Sequence, residues 1–100
     1  MHDVFVEGTN FPQLLSTASR KYLPPVLAQK VGVSVTELDT DYINRGTTPF
    51  ADNFQNWYLE GSNLVLIFPP YQVAAYAAGV QIVHIPLSEF GTSIAPEYRS

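Results

Sequence analysis

Leu64-Val65-Leu66-Ile67-Phe68 is an unbroken apolar run with Glu60-Gly61-Ser62-Asn63 before it and Pro69-Pro70 after it. Such a run is too short for an independent helix, whereas its β-branched and aromatic side chains suit a pleated strand. Its neighbours extend the pattern. Upstream, Phe54, Asn56 and Tyr58 alternate with Gln55, Trp57 and Leu59, as in a strand covered at least partly on both sides. The Glu60-Gly61-Ser62-Asn63 turn then joins two strands into an antiparallel hairpin. Downstream, Tyr71 to Gly79 is compact and alanine-rich, and Val80-Gln81-Ile82-Val83-His84-Ile85 resumes a strand that Pro86 stops.

Before Gly46 the period is different. Phe11, Leu14, Leu15, Ala18 and Tyr22 recur at helical spacing and share one face, with Gln13, Ser16, Arg20 and Lys21 pointing elsewhere. Gly8-Thr9-Asn10 has the composition of a turn and helix cap, and Val4-Phe5-Val6 reads as a short strand or strand end. Pro24-Pro25 removes backbone donors and disfavours helical geometry at Leu23, so the helix is expected to stop or kink there, with a helical turn resuming from Val26 to Lys30. Ser34-Val35-Thr36-Glu37 has capping-box form, Val33 and Leu38 have staple spacing, and Gly46 stands where a left-handed C-terminal residue is wanted. A second helix is therefore expected over about residues 35–45. Leu87 to Phe90 reads as one helical turn, and the tail from Gly91 to Ser100 is expected to be loosely held. The fold class that follows is α+β, a small antiparallel sheet of about three to four strands packed against two helices.

Composition narrows the roles. A chain of 100 residues can bury one modest core, so a single domain is expected. Hydrophobic residues at 46% and charged residues at 14% place it far from disorder. With a net charge of -4, and with Arg20 and Lys21 the one adjacent basic pair, nucleic acid and anionic lipid are poor partners. The absence of cysteine excludes a disulfide framework and thiolate chemistry but fits a reducing or an oxidising compartment equally. No run approaches the roughly 20 apolar residues that span a bilayer, and Met1-His2-Asp3 lacks signal-peptide character. The chain is then either cytosolic or the soluble part of a longer one.

Candidate chemistry is thin. His2 sits at the terminus and His84 in a strand, with neither His-x-x-x-His nor a cysteine pair, so no metal is expected and His84 reads as a half-buried strand residue with a satisfied ring nitrogen. Glu37, Asp39 and Asp41 cluster where a helix start favours negative charge, which accounts for them without acid–base catalysis. Gly-x-Ser-x-Gly is absent and the glycines are scattered, so neither a serine hydrolase nor a nucleotide cradle is expected, and no cofactor. Trp57, Tyr58, Tyr71 and Tyr76 are the candidate ligand or partner surface. Rings with polar tips either complete a small core or form a contact platform, and exposure of two or more on one surface would favour the platform.

From Asn53 onward the residues become specific. Asn53-Phe54-Gln55-Asn56-Trp57-Tyr58-Leu59, the Leu64–Phe68 run, Pro70-Tyr71-Gln72-Val73-Ala74-Ala75-Tyr76-Ala77-Ala78-Gly79 and Val83-His84-Ile85-Pro86 together resemble the C-terminal domain of the RsiV-like family of unknown function. The 71–79 block is the most distinctive part, Phe11-Pro12-Gln13-Leu14-Leu15 also matches in position, and Ala75 departs from a position that often holds proline. Members look like extracytoplasmic bacterial proteins, among them lysozyme-sensing anti-sigma factors and proteins in which the domain accompanies a polysaccharide deacetylase. The resemblance implies an envelope location and a recognition role, with residues 1–100 the C-terminal part of a longer protein and a β-rich segment before it. No lysozyme-contacting residue can be carried over individually.

The expected function is thus a non-catalytic binding or sensing module of a bacterial envelope protein. Lysozyme or a cell-wall glycan would be its partner, and an edge of the sheet or the 71–79 surface its contact site. The competing readings are a scaffold or oligomerisation domain beside a cell-wall enzyme, which a large apolar self-interface would favour, and a glycan-active enzyme, which a pocket joining His84 to two carboxylates would favour.

Overall fold

The computed structural model describes residues 4–74 and 79–98. Its elements are α1 (Phe11–Val31), α2 (Thr40–Gly46), β1 (Trp57–Glu60), β2 (Asn63–Phe68) and β3 (Gln81–Pro86), joined by short 3₁₀ turns. The strands form one antiparallel sheet in the order β1-β2-β3, so the fold is α+β as the residue pattern requires.

The hairpin turns where expected. Glu60 pairs with Asn63, and Gly61 takes the positive φ of 58° that tight hairpin turns demand and glycine supplies freely. β2 is the middle strand, which is why its run is apolar throughout: Leu64, Leu66 and Phe68 enter the core, while Val65 is buried on the opposite face between Tyr58 and His84, its partners in the neighbouring strands. β3 alternates cleanly, with Gln81, Val83 and Ile85 inside and Ile82 and His84 exposed. β1 is narrower than expected. Phe54 closes a 3₁₀ turn instead of opening the strand, and β1 is covered on one face, by the packing of Trp57 and Leu59 against the core.

α1 runs unbroken from Phe11 to Val31 through both prolines, so of the expected stop or kink at Leu23 the stop is overturned, and Val26 to Lys30 is helical as expected. The carbonyls of Arg20 and Lys21 lose their i+4 donors there, but both residues are exposed and water can serve them. In return Leu23 and Leu27 stay on the buried stripe with Leu15 and Ala18. Burying two leucines, at about 1.5–3 kcal/mol each, is of the same order as the penalty of two interior prolines, about 3 kcal/mol each. Ser16 and Ser19 are also buried, contrary to the outward position read for Ser16. Their hydroxyls have no hydrogen-bond partner among the described residues, and β3 is the main partner of α1 in the sheet.

The second helix starts later than its capping box suggests. Glu37 does accept from the Ser34 amide (3.2 Å) and hydroxyl (2.8 Å), but this closes a single 3₁₀ turn, Val35–Glu37, after which Leu38 is extended. Asp39 is the working cap of α2, accepting from the Tyr42 amide at 3.1 Å. Gly46 has no positive φ, and its role is space, because a Cβ there would fall 1.9 Å from the Gln72 carbonyl oxygen. The C-terminal segment as far as Tyr98 is held rather than loose. Phe5 bridges Ile94, Val6 donates to Ser93 at 2.8 Å, Ala95 donates to Val4 at 2.7 Å, and Ile94 is fully buried.

Candidate functional site

The aromatic candidates are dispersed. Trp57 and Tyr58 are neighbours in β1 and so point to opposite faces: Trp57 is half-buried against the core, and Tyr58 lies exposed on the outer face beside Val65. Tyr71 is 66% exposed and takes φ 74°, a left-handed conformation that costs a bulky residue on the order of 1–3 kcal/mol. Tyr76 lies outside the described residues. Trp57 therefore does not join Tyr58 in a common platform.

The strain at Tyr71 is held in place by its neighbour. The Gln72 side-chain amide donates to the Gly46 carbonyl at 3.0 Å and to the Asn53 carbonyl at 2.7 Å, while the Asn53 amide donates to the Thr48 carbonyl and hydroxyl at 2.9 and 2.8 Å. These bonds pin the segment after β2 to the loop after α2. Arg20 supports the same loop from α1, donating to Thr47 Oγ1 at 3.1 Å and to the Asn44 carbonyl at 3.0 Å, where a cation suits a helix C-terminus. Residue periodicity gave no hint of these polar ties, since each links segments far apart in the chain.

Beside this pinned segment opens a groove of about 630 Å³. Its apolar walls come from Leu27 and Val31 of α1, Val33 and Leu38 of the connection to α2, and Val73 and Ala74 from the 71–79 block. Its polar rim is Lys30, Glu37, Asp39 and Tyr42. The rim is partly committed: Lys30 donates to the Val80 carbonyl, Asp39 caps α2, and the Ser34 hydroxyl and amide hold the Glu37 carboxyl below the ordinary carboxylate value of 4.5. Val31 and Val33 stay 43% and 37% exposed, so the mouth of the groove is itself apolar. An apolar cleft with a few polar groups at its rim is the form that binding sites take.

On another surface, Glu89 accepts from Lys21 Nζ at 2.8 Å and from the Tyr22 hydroxyl at 2.9 Å. These bonds hold the Glu89 carboxyl below its ordinary range and raise both Lys21 and Tyr22. His84 is exposed on the outer sheet face, which corrects the half-buried placement expected of it. No cluster of three metal-ligating side chains occurs among the described residues, and no described helix is long and apolar enough to cross a membrane.

Residues 2–88 match the model of a family described as a protein of unknown function, DUF3298. No curated protein and no solved structure matches the chain.

Proposed function

The chain belongs to the DUF3298 family, and from that premise we propose that it is a non-catalytic binding or sensing module of a bacterial cell-envelope protein, RsiV-like in kind and placed outside the cytoplasm. Its partner is lysozyme or a cell-wall glycan. The observation that carries this reading is the groove, because the 71–79 block that most resembles RsiV-like domains supplies two of its walls, Val73 and Ala74. Tyr71 supports it: a ring kept exposed on a strained backbone is a costly arrangement for packing alone.

The test is calorimetry of the chain against lysozyme and, separately, against soluble peptidoglycan fragments. Saturable heat with one of them is expected. Val33→Asp, which places a charge on the exposed groove wall, should weaken that binding about tenfold or more by desolvating an unpaired carboxylate, with the melting temperature nearly unchanged. Absence of heat with both probes at millimolar concentration would overturn the reading.

A further inference from the structure

Ladder phase determines which backbone groups of β3 point away from the sheet. The Leu87 amide donates to the Ser62 carbonyl at 2.9 Å, and this pair continues the β2–β3 register one step beyond Asn63 and Pro86. Hydrogen-bonded pairs alternate in an antiparallel ladder, so Leu64–Ile85, Leu66–Val83 and Phe68–Gln81 are the bonded pairs. The other side of β2 agrees: the Ile67 amide donates to the Asn56 carbonyl at 2.9 Å, which turns Val65 and Ile67 toward β1. The N–H and C=O groups of Ile82 and His84 therefore face outward, and no hydrogen bond among the described residues uses them. Exposed edges are commonly guarded by charged side chains, yet β3 carries no lysine, arginine, aspartate or glutamate. Val80 and Ile82, on or beside this edge, are 40% and 46% exposed.

We propose that the outer edge of β3 accepts an extended segment of a partner protein as an added strand, bonded at Ile82 and His84 and apolar where it lies beside Ile82. A polypeptide is the occupant because its alternating amides and carbonyls match those of an edge strand, with side chains supplying selectivity. A second copy of the chain fits poorly. Two β3 strands paired about a two-fold axis normal to the sheet would stand about 4.8 Å apart, but each has an α1 beneath it, and packed helices need about 8–10 Å between axes. The occupant is thus a strand with no helix under it. The edge adjoins the groove where the rim residue Lys30 donates to the Val80 carbonyl, but Ile82 and His84 do not line the groove, and either site can fail without the other.

The experiment is amide hydrogen exchange, followed residue by residue by NMR on the full chain, with and without a lysine-capped seven-residue peptide of alternating threonine and valine. In the free chain the Ile82 and His84 amides should exchange fast and those of Val83 and Ile85 slowly. The peptide should slow Ile82 and His84 at least fivefold and saturably. His84→Pro, which removes an edge donor that β2 does not use, should abolish that protection, and Ile82→Lys should weaken it while leaving the fold intact. Slow Ile82 and His84 exchange in the free chain, or no change with peptide, would overturn the proposal. Protection that grows with protein concentration in the absence of peptide would overturn it in favour of self-pairing.

Discussion

At Gly46 a methyl group has nowhere to go. Its Cβ would overlap the Gln72 carbonyl oxygen at 1.9 Å and meet its carbonyl carbon at 2.7 Å, both backbone atoms that cannot rotate aside. The same approach lets the Gln72 amide reach the Gly46 carbonyl. Gly46→Ala should therefore cost about 1–3 kcal/mol or more, as overpacking does, and should break the Gln72 bond as well. Urea unfolding of the variant would show the loss as a lower midpoint with a similar slope. A neutral result would mean that the two loops do not touch this closely.

At the level of the element, α1 shows packing overriding propensity. Pro24 and Pro25 each remove a helix bond, but the stripe of Leu15, Leu23 and Leu27 continues through them into the core. Pro25 is exposed, so replacing it disturbs little else. Pro25→Ala should restore the bond to the Lys21 carbonyl and recover part of the roughly 3 kcal/mol that an interior proline costs. The unfolded chain regains about 0.4–1 kcal/mol of entropy in opposition. A net gain of about 1–2 kcal/mol is expected, measured by chemical denaturation. A loss would mean that the helix is in fact interrupted at the proline pair. α2 is the contrasting case: it is shorter than its capping box implies because Ser34-Val35-Thr36-Glu37 satisfies a cap locally while Leu38 turns extended and half-buried toward the core.

Across the whole molecule, the Lys21–Tyr22–Glu89 contact ties the middle of α1 to the turn that follows β3. Its pH dependence has a definite sign. Glu89 is lowered from 4.5, so its contribution is present above that value and is lost as pH falls through its folded value. Lys21 and Tyr22 are raised from 10.5 and 10.0, so theirs is complete below those values and is lost as pH rises through the folded ones. Glu89→Gln should flatten both limbs of a melting-temperature profile, and Glu37, also lowered, should leave a residual acid slope. The effect should shrink in salt, because the ion pair is at the surface. Unchanged limbs in the variant would rule the contact out as a source of the pH dependence.

Local chemistry alone determined the strand run with its Gly61 hairpin, the helical stripe from Phe11 and the α+β class, because side-chain period and turn stereochemistry act over a few residues. Of the candidate surface, exposed Tyr58 and Tyr71 were legible as polar-tipped rings, but the opposite placement of Trp57 depended on which face β1 turns to the core. The groove was not legible, since its walls come from α1, the connection to α2 and the Val73–Ala74 pair after β2. Tertiary structure also decided that α1 passes its prolines, that Ser16 and Ser19 lie inside, and that Gly46 serves close approach rather than a left-handed turn. In each instance the deciding partner is remote in the chain, as Gln72 is from Gly46 at 26 residues, and the free energy of burying a surface depends on what arrives to cover it.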